Sequence, residues 1–230
     1  MARQQTIAAE AATSAVRGPG RPLPPGPVLA CAVFALGWAG PLVRFASAPA
    51  LVIAAWRLLF SVAAIAAVLT LRRRWADLAR LGGRDWLLAL ASGALLAAHF
   101  WSWIASLQWT SVASSVVLVN TQPVFVATLS ALLLGERASR RQWLGIAVAV
   151  AGAAVIGWGD FHRGASPLFG DLLAAAGAAF AAGYYVIGRR LRRHLDLWVY
   201  TGVVYGTAAV LLTAAAALDP AARLTGHPAA

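Results

Sequence analysis

The chain has 230 residues, of which 60% are hydrophobic and 12% charged, with a mean hydropathy of +0.72. Soluble domains carry about 45–50% apolar and about 25% charged residues, so a soluble globular protein, a disordered chain and a coiled coil are excluded. What remains is an all-α, polytopic membrane helix bundle, since runs of about 20 apolar residues are the signature of spanning helices. The net charge is +11, and every one of the 19 basic residues is arginine. With no lysine, the chain has no Schiff-base lysine, no Walker-A lysine and no Ser-Lys dyad, which rejects a seven-helix retinal protein. Its single cysteine, Cys31, excludes an intramolecular disulfide and a thiolate metal cluster.

Residues 1–27 are polar and proline-rich near their end, and read as a disordered, basic cytoplasmic leader. Ala46-Ser47-Ala48 has the form of a signal cleavage site, but Arg44 interrupts the region before it, so an uncleaved first span is expected. Seven apolar runs follow, at 28–46, 50–71, 86–107, 111–134, 142–159, 169–188 and 197–218. Each is long enough for a tilted crossing of a hydrocarbon core about 30 Å thick. Residues 219–230 form a tail.

The arginines set the expected orientation. Fifteen of them lie in the leader and in the loops 2–3, 4–5 and 6–7, while Arg44, Arg163 and Arg223 lie on the other side and Arg57 lies within the second run. The positive-inside rule then puts the N-terminus in the cytoplasm of an inner-membrane protein. The +11 charge is thus a topology signal, and no nucleic-acid partner is expected.

The chain also matches itself at an offset of 146: Phe34-Ala35-Leu36-Gly37-Trp38 falls on Phe180-Ala181-Ala182-Gly183-Tyr184, Arg44 on Arg190 and Leu51 on Leu197. Spans 6 and 7 copy spans 1 and 2. Five helices per unit is odd, so the second copy runs through the membrane in the opposite sense, an inverted repeat of the kind found in many secondary transporters. The expected organisation is a five-helix repeat over 28–160 and the first two helices of a second over 169–218. On that reading the chain is C-terminally short of a five-plus-five protein by three helices.

The stretch Thr110–Ala154 contains Thr110-Ser111 opening span 4, Pro123 in its middle, Gly135-Glu136-Arg137 at its end, and Gly145 and Gly152 on span 5. Gly37-Trp38, Ala55-Trp56-Arg57, Gly170-Asp171-Leu172-Leu173 and Arg189-Arg190 stand in order around it. Together they resemble the EamA-like family of the drug/metabolite transporter superfamily, over residues 28–218. The resemblance implies a ten-helix full form and export or uptake of a small metabolite.

The candidate residues come from the spans themselves. On span 3, Ser92, His99, Trp103 and Ser106 share a face; an ionisable group in the bilayer is a functional candidate, although His99 also fits a hydrogen bond to a neighbouring helix. Proline removes a backbone bond, so Pro123 frees the carbonyl of Val119; this is either a kink or a place where Thr121 and Gln122 meet a substrate. Ser114, Thr121 and Thr128 recur every seven residues along a polar stripe flanked by Ser115 and Gln122, which suits a cavity wall or helix–helix hydrogen bonds. Arg57 either snorkels to the outer interface or presents a fixed positive charge to an anionic substrate. Tyr184, Tyr185 and Trp38 are candidate cavity aromatics or core residues.

The substrate contacts are therefore expected at His99, Trp103, Thr121, Gln122 and Arg57, with Pro123, Gly135, Glu136 and Arg137 structural or gating. Gly135 fits a helix C-cap, and Glu136-Arg137 a salt bridge in the loop. No metal site, catalytic residue or cofactor is expected: no second ligand stands near His99, no carboxylate pair lies within a span, and no phosphate loop, G-x-S-x-G or H-E-x-x-H occurs. Expected partners are a small-molecule substrate and the bilayer, with a homodimer open. A non-transporting seven-helix receptor or assembly subunit is the alternative.

Overall fold

The computed structural model describes residues 25–46, 48–157, 167–220 and 222. The greater part of the expected leader, the end of the fifth span at 158–159 and the last eight residues of the tail lie outside them. Among the described residues there are ten helices and no strands. They are α1 (Pro25–Gly37), α2 (Ala39–Phe45), α3 (Ala50–Leu71), α4 (Trp75–Leu78), α5 (Gly83–Trp109), α6 (Val112–Val119), α7 (Gln122–Leu134), α8 (Arg140–Gly157), α9 (Pro167–Leu191) and α10 (Leu197–Leu218).

Two units divide the chain at Ala39 and Gly40. The first contains α1, which opens at Pro25, inside the expected leader. It is apolar on every side: Leu29, Val33, Phe34 and Leu36 are all exposed, as suits a helix solvated by lipid. Phe34 and Trp38 pack edge to face at 6.4 Å.

The second unit is a bundle centred on α3, α5, α9 and α10. The α5 helix packs along α9, and α10 packs against α3 and α5. Its interior is built from small residues. Ala54, Ala89, Ala174, Ala178, Ala182 and Ala208 are fully buried, and such residues let backbones approach closely in a bilayer, where packing drives association. At Gly93 on α5, an added Cβ would lie 2.5 Å from Thr207 Cβ and 2.8 Å from Val204 O on α10. Gly170 of α9 meets Thr110 as tightly, at 2.7 Å.

Local signals fix the helix ends. Ser111 accepts from Ser114 N–H at 3.0 Å, and Asp196 accepts from Trp198 N–H at 2.9 Å, each satisfying an orphan donor at a helix start. Ser139 and Gln142 form a reciprocal capping box for α8. Gly135 closes α7 with φ of +70°, in the left-handed region that favours glycine.

Among the described residues, six helical stretches are long and apolar enough to cross a membrane: Gly26–Phe45, Ala50–Leu71, Gly83–Trp109, Val112–Leu134, Pro167–Leu191 and Leu197–Leu218. The expected fifth span forms a helix, α8, but its described part opens on Arg140, Arg141 and Gln142, which lowers its apolarity below that of the other six. The fourth span is broken. Asn120 and Thr121, between α6 and α7, keep right-handed dihedrals, but the regular bonding is interrupted there: Thr121 N–H reaches only Leu118 O and Val124 N–H only Thr121 O, three residues back.

The loops segregate by charge. At one end of the second unit, Asp85 meets His194 at 3.0 Å, Glu136 meets Arg189 at 3.0 Å, and Arg72 lies 5.7 Å from the Trp198 ring centre. At the other end, Arg44 donates to the carbonyls of Leu107 and Thr110, a cation placed at the negative end of α5. Thr110 Oγ1 there donates to Asp171 Oδ1 at 2.9 Å. Loops 2–3, 4–5 and 6–7 thus share one arginine-rich end.

Candidate functional site

The sequence points to Arg57, His99, Trp103, Thr121 and Gln122 as one set; the structure divides them between two places. Arg57, His99 and Trp103 meet where α3, α5 and α9 pack. Gln122 faces a separate pocket between α7, α8 and α9.

Arg57 is the eighth residue of α3, about 10 Å from its start at 1.5 Å per residue. It does not extend along the helix toward the interface. Its guanidinium lies over the Phe100 ring at 4.8 Å and the Trp103 ring at 5.5 Å. Phe100 and Trp103 sit three residues apart on α5, so both rings project from one side of that helix. Among the described residues no carboxylate pairs with Arg57.

His99 precedes both rings on the same helix and contacts each. Its ring stacks parallel to Trp103 at 6.3 Å and is tilted against Phe100 at 5.1 Å. Nδ1 is 2.9 Å from the carbonyl oxygen of Gly177 on α9. A carbonyl only accepts, so Nδ1 carries the proton, and Nε2 of the neutral ring remains an acceptor. A Cβ at Gly177 would come 3.1 Å from Ser102 Oγ and 3.4 Å from Trp103 N; the missing side chain lets α9 approach closely enough for this bond. Trp103 itself is 8% exposed, yet its Nε1–H has no hydrogen-bond partner among the described residues.

The polar stripe of the fourth span resolves into separate roles. Ser115 shares a buried 2.6 Å hydrogen bond with Ser106 of α5, which ties two helices together. Thr121 Oγ1 donates to the Leu118 carbonyl at 2.6 Å, one residue before the Val119 carbonyl that Pro123 was expected to free. Thr128 donates to Val124 O on an exposed face. The break at Asn120–Thr121 interrupts the seven-residue spacing.

Pro123 opens α7 within its first turn, a position where its missing N–H costs little. Gln122, Pro123, Glu136 and Arg137 line one pocket of about 590 Å³, together with Gln142, Tyr185 and Arg189. Glu136 does not pair with Arg137; it bridges to Arg189 and Arg193 at the end of α9 and just beyond. A second pocket of about 560 Å³ adjoins it through Val126, Tyr185 and Arg189, and is walled by Tyr184, Tyr200 and Tyr205. Trp38 belongs to the first unit.

Phe100 and Gly177 are members of the site that sequence reasoning did not select. Gly170 and Gly177 stand seven residues apart on α9 and both touch α5 or its C-terminal end; that spacing of small residues was the available signal for the close approach. Nothing local marks Phe100.

A profile described as "EamA-like transporter family" matches residues 27–158, more than half of the chain. A curated relative from Sinorhizobium sp, described as "Uncharacterized transporter in cobO 3'region", is 30% identical over 92 residues, which are 40% of this chain and 65% of that protein. A solved structure described as "Crystal structure of protein" superposes with a TM-score of 0.60 at 24% identity, covering 81% of this chain and 64% of that one; this likeness shows the fold. The matches thus cover just under two thirds of the length of each of these two proteins.

Proposed function

Since the chain belongs to the EamA-like transporter family, we propose that it is a secondary transporter, moving a small metabolite or drug-like molecule by alternating access without ATP. It catalyses no reaction on its cargo and uses no cofactor. It resides in the inner membrane with its N-terminus in the cytoplasm. Its partners are a small-molecule solute and lipid, with no nucleic acid. The observation that carries the reading is Arg57, a half-buried cation about a third of the way along α3, held against two aromatic rings. Ionisable groups within spans are expensive and mark substrate pathways.

The inverted repeat supplies the mechanism. The helices related by the 146-residue offset, α3 and α10, pack side by side in opposite directions. Val52 near the start of α3 meets Ala216 near the end of α10, while Leu69 near the end of α3 meets Val199 near the start of α10. Such a pair can rock about a site between its halves. In this reading Arg57, His99 and Trp103 contact the solute. Thr121, Gln122 and Pro123 form the broken segment that moves. Gly135, Glu136 and Arg137 hold the arginine-rich end, with Glu136 bridged to Arg189 and Arg193.

The test is solute counterflow across liposomes containing the reconstituted chain, with a panel of labelled metabolites. Flux is expected for at least one solute and is lost in His99→Ala and Gln122→Ala variants that keep the native thermal midpoint. Unaltered flux in both variants overturns the assignment of the site. No flux above empty liposomes for any solute overturns the transporter reading.

A further inference from the structure

We propose that the Arg57 cluster is a carboxylate site, and that the cargo is a small monoanionic carboxylate with an apolar body. This rests on the transporter reading for its physiological meaning, but not for the binding chemistry. Three observations converge on it.

The first is charge. Arg57 keeps its proton at any physiological pH, and among the described residues it has no ion pair. A single cation in a lipid-surrounded bundle is matched by a single negative charge. A phosphate, at nearly two charges, would need a second cation, and none of the side chains contacting Arg57 is one.

The second is donor geometry. A guanidinium carries five N–H donors in a planar fork, and a carboxylate can accept two of them in parallel. Trp103, under that guanidinium, is more than nine-tenths buried, and its Nε1–H is unpaired. Buried indole N–H groups normally find an acceptor. A carboxylate, with two acceptor oxygens, can serve the guanidinium and the indole N–H together.

The third is the wall. Phe100 and Trp103 flank the cation. These surfaces suit an apolar body behind the charged head. They offer no carboxylate to a cationic cargo.

The experiment is a thermal-shift titration of the purified full chain in detergent. The probes are acetate, butyrate, phenylacetate and 3-phenylpropionate, each compared with its carboxamide and with chloride at the same ionic strength. At least one carboxylate is expected to raise the unfolding midpoint where its amide does not. Arg57→Gln should abolish that difference. Trp103→Phe keeps the ring and removes the donor, and should weaken the apparent affinity about tenfold, as expected for loss of a hydrogen bond to a charged group. If Arg57→Gln does not fold, the acid–amide contrast and Trp103→Phe carry the test.

Equal shifts by acid and amide overturn the proposal, as does no shift with any carboxylate, or a response that survives Arg57→Gln. Carboxylate binding without flux in liposomes leaves this site standing and refutes the transporter reading. Flux of neutral solutes without carboxylate binding does the reverse.

Discussion

Replacing Gly93 by alanine tests the packing that holds the cluster together. The new Cβ would stand 2.5 Å from Thr207 Cβ and 2.8 Å from the Val204 carbonyl oxygen. Carbon atoms in good contact sit about 3.5–4.0 Å apart, so α5 and α10 must separate by about 1 Å. One of the two obstacles is backbone, and a rotamer change cannot relieve it. Overpacking of this kind costs about 1–3 kcal/mol, and the better helix propensity of alanine returns about 1 kcal/mol. Gly206, also on α10, is the control, because an added Cβ there meets nothing within 4 Å. It receives the propensity gain without the clash. The difference between the two variants isolates the overpacking, about 1–3 kcal/mol. His99 is six residues along α5, about 9 Å away, so Gly93→Ala should also shift its contact with Gly177. The measurement is reversible unfolding in mixed micelles, with the two variants compared at the same detergent composition. Equal stability of Gly93→Ala and Gly206→Ala would show that α5 and α10 do not meet as described.

Glu136→Gln removes the bridge to Arg189 and Arg193. Because the Glu136 side chain is 33% exposed, its ion pairs contribute only about 0.2–1 kcal/mol, and unfolding should change little. Opening of the arginine-rich end should change more: with Cys31→Ser as background, Val126→Cys is expected to react faster with an impermeant maleimide in Glu136→Gln than in its parent. Equal rates would remove Glu136 from the gate. Orientation is tested by Arg80→Cys and Gln108→Cys on the same background, since both positions are exposed and lie in or beside loops at opposite ends. Labelling of Arg80→Cys from the cytoplasmic side only, and of Gln108→Cys from the outer side only, is expected; the opposite pattern inverts the topology.

The helices were legible because their signals are local. Apolar runs of membrane length, Ser111 and Asp196 at helix starts and Gly135 at a helix end all act within a few residues. Contacts between spans leave no such trace. Glu136 has Arg137 next to it in sequence, but its partners are Arg189 and Arg193, more than fifty residues away. His99 and Gln122 were grouped because both are polar residues within spans. They separate because the break at Asn120–Thr121 and the pairing of α7 with α9 turn Gln122 toward α8. For Arg57, periodicity permits both snorkelling and an inward course. The choice depends on Phe100 and Trp103, which another helix supplies.

The position of Arg57 within the repeat explains why one half carries the charge. Under the 146-residue offset its counterpart on α10 is Val203. Val203 is 7% exposed and lines an apolar groove with Val62, Ile65 and Leu69 of α3. An arginine there would place a charge in a groove whose walls are aliphatic and tryptophan side chains, with no carboxylate among them. The penalty for a charge near the centre of a span is about 2.5–3.5 kcal/mol on insertion scales, and rings positioned for cation–π contact return about 0.5–2 kcal/mol each. Phe100 and Trp103 nearly balance that penalty at position 57. The repeat therefore provides two equivalent helices, and the aromatic pair on α5 is seated against the one that carries the cation.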